Sequence, residues 1–298
     1  MREVQYPDLS EAKVICFDIE TFDPGISNKM GPGVYRNDGY ILGVSLATET
    51  GFAEYYNVGH YDCTEQEAIK NWAYIKKCLE CNVYQLQADI NKLGTNLMYD
   101  VDWLENWEGD EEKFGWRGRG PKLNISGHLY DIQIAEPLID ENQGHYSLDF
   151  QATKYLGEGK KNNALVEFCK ENNLKGDPRQ WIYKMPYELV REYGISDAQQ
   201  PIEIFRIQWR IMSREDLLPI FHMETQLLRA ILIMRRTGVR IDVDLRDITA
   251  LETREEMEKR KYRLYDMFGE FNYNSTTQLV KIFEGAGIPT QYKIKYLD

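Results

Sequence analysis

A run of four apolar residues, Val14-Ile15-Cys16-Phe17, ends abruptly in Asp18-Ile19-Glu20. A short apolar run of this kind reads as a buried strand. Its carboxyl end then carries two carboxylates to the margin of a core, where charge is costly unless a cation or a functional demand compensates it. Composition tempers the signal. With 48 acidic residues among 298, about eight acid-x-acid pairs arise by chance alone. Taken by itself, the pair is equally open to a plain strand end in solvent.

Residues 40–47 and 52–58 are also rich in β-formers, and Thr48-Glu49-Thr50-Gly51 between them is a hairpin signal. Three strands, antiparallel, are therefore expected to open the fold. Residues 64–79 then show helical spacing through Ala68, Trp72, Ile75 and Leu79, with Thr64 and Glu67 as a capping box. Residues 96–107 read as a further helix, 132–139 and 147–155 as short ones, and Met185-Pro186 as the start of a longer one. From about residue 213 the chain turns helix-rich, with Met223, Leu227, Ile231 and Met234 on one face before Gly238. A second unit is expected to begin there, and its charged stretch 252–263 reads as a solvated helix face.

Two further groupings carry acids at helical spacing. Asn96, Asp100 and Leu104 lie along one stripe, while Asp102 faces away from it. In Tyr193-Gly-Ile-Ser-Asp197 the phenol and the carboxylate share a side, although the same spacing is open to a surface pair.

Together, and in this order, Asp18-x-Glu20, Asn96-x-x-x-Asp100 and Tyr193-x-x-x-Asp197 resemble the exonuclease motifs of the DEDD superfamily. More specifically, they resemble the proofreading domains of family A DNA polymerases. Glu192 stands five residues before the last aspartate, where the alternative subfamily has histidine, so the tyrosine branch is favoured. Weaker echoes lie in the segments 131–139, 146–149 and 154–157. Residues 235–245 and 271–279 look like the beginning of a polymerase domain, so almost the whole chain is covered.

The resemblance implies a ribonuclease-H-like α/β fold, a mixed sheet covered by helices, over residues 1–212. Residues 213–298 would be the incomplete, mostly helical start of a polymerase domain. It implies a 3′-5′ exonuclease that removes nucleotides from single-stranded or frayed DNA 3′ ends with two divalent cations, Mg²⁺ or Mn²⁺. Asp18 would bridge both ions, Glu20 and Asp197 would complete one site, and Asp100 would act on the second. Tyr193 would orient the attacking water, because a phenol with a pKa of about 10 is a poor base near neutrality. Thr21 and Asn96 are expected contacts of the terminal nucleotide. The partners implied are the single-stranded DNA end and either the remaining polymerase segment or a replication partner. An RNA-trimming exonuclease of the ribonuclease D kind and a non-catalytic DNA-binding platform are the competing readings.

The bulk properties agree with local rather than broad nucleic-acid contact, since the net charge is −12. The Gly-rich segment 108–122 gathers Lys113, Arg117, Arg119 and Lys122 around Trp116. Cations with a stacking surface are what single-strand channels use, so Arg117, Arg119 and Lys122 are candidate DNA contacts, with an ordinary surface loop as the alternative. Five scattered cysteines do not form a secreted disulfide framework, and the Cys78-Leu-Glu-Cys81 pair lacks the partners a zinc site needs. No apolar targeting segment opens the chain and no segment is apolar enough to span a bilayer, so a cytoplasmic location, in a bacterial cell or a phage-infected host, is expected.

Two departures from the family pattern matter. Pro201 follows Asp197 by four residues, so the motif helix is expected to kink or end there. The chain stops at Asp298 before any polymerase metal-binding motif, so it is expected not to polymerise, as a truncated piece or as one part of a split polymerase.

Overall fold

The computed structural model describes residues 3–28, 30–80, 90–159 and 163–290. It opens with β1 (Val14–Phe22), the single-turn α1 (Gly33–Arg36), β2 (Tyr40–Thr48), β3 (Ala53–Asn57) and α2 (Glu65–Leu79). Next come β4 (Asn91–Gly94), α3 (Leu97–Asn106), the short α4 (Glu111–Phe114), β5 (Leu129–Asp131), α5 (Ile132–Ile139), α6 (Leu148–Leu156) and α7 (Asn163–Glu171). The long helices α8 (Tyr187–Arg214), α9 (Leu218–Thr237) and α10 (Val243–Phe268) precede α11 (Thr276–Gly285). Cys78 is a buried residue of α2, whereas Cys81 lies outside the described residues.

The five strands form one mixed sheet in the order β3-β2-β1-β4-β5. β1, β2 and β3 are antiparallel, as expected, and β4 and β5 run parallel to β1. Alternation along β1 then assigns its side chains. Ile15, Phe17 and Ile19 enter an apolar cluster with Leu79, Val101 and Leu104, whereas Cys16 enters another with Ala198, Ile202 and Ile204. Because successive side chains point to opposite faces, Asp18 and Glu20 fall on the Cys16 side, the face that α8 covers.

Local sequence explains the helix starts. The Thr64 hydroxyl accepts from Glu67 N at 3.2 Å and caps α2, a contribution of about 1 kcal/mol. Asp131 serves two helices at once: Oδ2 accepts from Leu97 N at 2.8 Å and Oδ1 from Gln133 N at 2.7 Å. One buried carboxylate thus ties the beginnings of α3 and α5 together, and burial pushes its pKa up to about 6.

Helix α8 does not break at Pro201; it spans 28 residues and runs on to Arg214. An interior proline costs about 3 kcal/mol through a lost hydrogen bond and a ring clash. Here one face on both sides, from Val190 to Gln208, is buried against the sheet and against α5 and α6, and that packing outweighs the local penalty. At its start α8 is fixed by a buried ion pair, Arg191 Nη2 to Glu54 Oε1 of β3 at 2.6 Å.

The compact unit containing the sheet extends to Thr237, and residues 238–298 form a second unit. Helix α9 packs with this first unit, since Phe221, Leu228 and Leu232 are buried in its clusters. In the second unit, α10 is capped by Asp242, and the charged stretch 252–263 lies along it, almost wholly exposed. No helix among the described residues is long and apolar enough to cross a membrane.

Breaking one side of a buried ion pair leaves the other charge uncompensated, at a cost of about 3–5 kcal/mol. Arg191→Ala is therefore expected to lower unfolding stability by about that amount in urea denaturation. The double variant Arg191→Met/Glu54→Leu is expected to recover most of the loss.

Candidate active site

Along the β1–β2 ladder Asp18 pairs with Ser45 and Glu20 with Gly43, and the register shifts just after Glu20. Helix α8 settles on this face at Gly194. A β-carbon there would stand 2.8 Å from both Ser45 Oγ and the Tyr55 ring, so a larger residue would lift the helix off the sheet. Tyr55 has little room to yield. It is fully buried, its hydroxyl lies 2.8 Å from His60 Nε2, and its ring stacks on Tyr187. Burial lowers the His60 pKa to about 4, so this partner is neutral near pH 7.

The close approach brings in the residues that flank Gly194 on its helix. Carboxylate oxygens of Asp18, Glu20 and Asp197 all lie within 4.8 Å of one another. Pro201 has therefore not turned Asp197 away. Asp100 is outside this trio but lines the same cavity, of about 570 Å³, together with Tyr193 and Asn96. Asn96 adopts a left-handed conformation (φ 60°) before α3, and its side chain caps nothing in that helix. It is left facing the cavity. Thr21 lines an adjoining cavity of about 570 Å³, its hydroxyl 2.7 Å from that of Tyr99.

The site's electrostatics follow from crowding. Burial raises the Tyr193 pKa well above its ordinary value, and Glu20, Asp197 and Asp18 push it further in the same direction, with a hydrogen bond to Asp197 adding to the effect. The phenol thus remains protonated and is a donor to a carboxylate. Cys16, buried under the same acids, is likewise held as an inert thiol. A donor set made wholly of carboxylate oxygen, converging within 4.8 Å, fits a hard divalent cation.

The basic segment does not contribute to this cavity. Arg117 donates from Nε to Gly59 O at 3.0 Å and from Nη2 to His60 O at 3.2 Å, with its guanidinium over Trp116. Arg119 pairs with Glu65 and Glu111, and Lys122 with Glu108 at 2.6 Å. None of the three lines either cavity. Acids inside and beside the segment pair with its exposed cations Arg119 and Lys122, and the backbone of residues 59–63 takes Arg117. Asp102 does face away from the cavity, but it is fully buried, holding Tyr35 Oη at 2.6 Å and Arg236 Nε at 3.0 Å.

Several lining residues are not among the candidates read from the sequence: Tyr99, Gln133, Asp149 and the pair Asp177 and Arg179. The last two sit at the start of a 3₁₀ helix, Pro178–Lys184, capped by Asp177 with proline at its first position. Asp-Pro before a mixed polar-aromatic run is a helix-start signal and could have drawn attention to this segment.

No family model matches the chain. It is 32% identical over 249 residues to a DNA-directed DNA polymerase of Pseudomonas phage M6, a match covering 81% of this chain and 34% of the relative. It is 26% identical to the DNA polymerase DpoZ of Vibrio phage phiVC8, covering 95% of this chain and 41% of that one. The chain thus spans about two fifths or less of the length of these relatives. Among solved structures, it superposes on the POL domain of Pol1 from M. smegmatis with a TM-score of 0.54 at 15% identity, covering 96% of this chain and 40% of the other. Brucella melitensis NrnC bound to pGG gives 0.50 at 12% identity, covering 80% of this chain and 93% of the other. These two likenesses establish the fold. In sequence the chain is similar to phage DNA polymerases, and it shares the mixed α/β fold of these two solved structures.

Proposed function

We propose that this chain is a metal-dependent 3′-5′ exonuclease acting on single-stranded or frayed DNA ends, the proofreading part of a DNA polymerase. The observation that carries the reading is the convergence of Asp18, Glu20 and Asp197 within 4.8 Å, in one cavity with Asp100 and Tyr193. Kinship to phage DNA polymerases makes the primer 3′ end the natural substrate. Residues 213–298 are read as the incomplete first part of a polymerase domain, on the resemblance carried by residues 235–245 and 271–279.

Asp18, Glu20 and Asp197 would hold one cation, and Asp100 with Asp18 a second, Mg²⁺ or Mn²⁺ being suited to oxygen ligands. Bound cations of this kind compensate charge on the phosphoryl oxygens and raise the acidity of water. The chain's own residues do the rest. Tyr193 donates to Asp197, and its oxygen accepts a hydrogen bond from the attacking water, fixing the direction of its lone pair. A phenol held protonated in this way positions water and does not deprotonate it. Asn96 and Thr21, on the cavity walls, are placed to contact the terminal nucleotide. No carboxylate of the motif set is missing, which favours an enzyme over an inert DNA-binding platform.

The purified chain with Mg²⁺ or Mn²⁺ is expected to shorten a labelled single-stranded DNA from its 3′ end. Chelator should abolish the activity, and Asp18→Ala and Glu20→Ala should each lower it about a thousandfold or more. An intact strand, or faster cleavage of the matched RNA, would overturn the reading. Tyr193→Phe is expected to lower kcat about 10- to 100-fold with little change in KM. Because the folded phenol titrates above its ordinary range, the wild-type pH–rate profile between pH 7 and 10 should show no limb that Tyr193→Phe removes. Such a limb would make the phenol a base.

A further inference from the structure

A groove lined with acids must still hold a polyanion. Among the described residues that line the carboxylate cavity and the adjoining one, Arg179 is the only lysine or arginine, and it lines both. Around it stand Asp18, Glu20, Asp100, Asp177 and Asp197. Glu20 and Tyr193 are close enough to act on its charge.

Its placement is built from the backbone upward. Asp177 caps the 3₁₀ helix by accepting from Arg179 N at 3.0 Å, and Pro178 pre-sets the first turn. The same carboxylate takes the guanidinium, with Arg179 Nε 3.0 Å from each Asp177 oxygen. Nη2 also lies 2.5 Å from Asp177 Oδ2, yet the Arg179 side chain is 65% exposed, so the pair is screened by solvent and open to a competing anion. Asp177 thus orients a guanidinium that a phosphate can reach. A planar fork of donors matches the non-bridging oxygens of a phosphodiester. Beyond Arg179 the wall of the second cavity continues through Trp181 and Tyr183, whose rings stack at 6.4 Å.

We propose that Arg179 is a substrate-binding residue that takes the phosphodiester adjacent to the one being hydrolysed, exchanging Asp177 for that phosphate. The hydrolysed linkage belongs among the carboxylates of the first cavity. Arg179 stands where that cavity meets the second, along which the strand continues. The assignment rests on the exonuclease reading and deepens it: the groove recognises a charged backbone rather than base identity at this point.

The test is steady-state cleavage of a single-stranded DNA oligonucleotide by the full chain with Mn²⁺, comparing wild type, Arg179→Ala and Arg179→Lys. A second oligonucleotide carries one uncharged methylphosphonate at the penultimate linkage. Arg179→Ala is expected to raise KM about tenfold with kcat within about twofold, and Arg179→Lys to recover part of the loss. The methylphosphonate should raise KM about tenfold for wild type and leave that of Arg179→Ala unchanged. The slope of log KM against log salt should also flatten by about 0.7 in the alanine variant, as for one lost phosphate contact on a single strand. An unchanged KM, a loss confined to kcat, or an equal methylphosphonate penalty in both proteins would overturn the assignment. Absence of metal-dependent cleavage by wild type would instead remove the exonuclease reading, so the two failures are distinguishable.

Discussion

The seating of α8 on the antiparallel half of the sheet is the contact on which the rest of the site depends. β1 can only present Asp18 and Glu20 from its own edge, and neither alone distinguishes a site from a solvated strand end. Gly194 removes the side chain that would hold the helix away from Ser45 and Tyr55. Arg191 and Glu54 then fix the helix laterally through a buried pair. Backbone approach comes first, and the convergence of Asp197 and Tyr193 on β1 is its consequence.

That convergence has an electrostatic cost. Three carboxylates within 4.8 Å, with a fourth in the same cavity, repel one another in a partly desolvated setting. The surrounding packing compels the arrangement, since one face of α8 is buried from Tyr187 to Met212 and α3 is anchored by Asp131 at its first residue. A shared hydrogen bond between Tyr193 and Asp197 eases one charge. A hard divalent cation would relieve the remainder, so the same crowding would supply affinity for metal. Stored repulsion of this kind is characteristic of functional sites rather than of structural acids.

The legible part of the fold was the part governed by local rules. Strand alternation placed Asp18 and Glu20 on one face, the Thr64 cap and the 3.6-residue spacing located α2, and Tyr193-x-x-x-Asp197 was visible at helical spacing. What misled was local reading overruled by tertiary contact. Pro201 signals a break, yet α8 passes through it because its flanking turns are buried. The cations of residues 108–122 lie outside the carboxylate cavity, where Arg119 and Lys122 pair with acids and Arg117 with backbone carbonyls of residues 59–63, partners that spacing does not reveal. For Arg179 the reason is the opposite: Asp177-Pro178 signals a helix start, but the 3₁₀ helix is only seven residues long, and only the closed fold sets it beside Glu20.

The central claim is that the fold forces these carboxylates together and that a divalent cation relieves them. Thermal unfolding at increasing Mn²⁺ tests it most directly, with wild type compared against Asp18→Asn. The account predicts that Mn²⁺ raises the wild-type Tm in a saturable manner, because binding to the folded state alone stabilises it. It also predicts that Asp18→Asn is the more stable protein without metal and gains little when metal is added. A wild-type Tm indifferent to Mn²⁺, or an equal rise in both proteins, would contradict it.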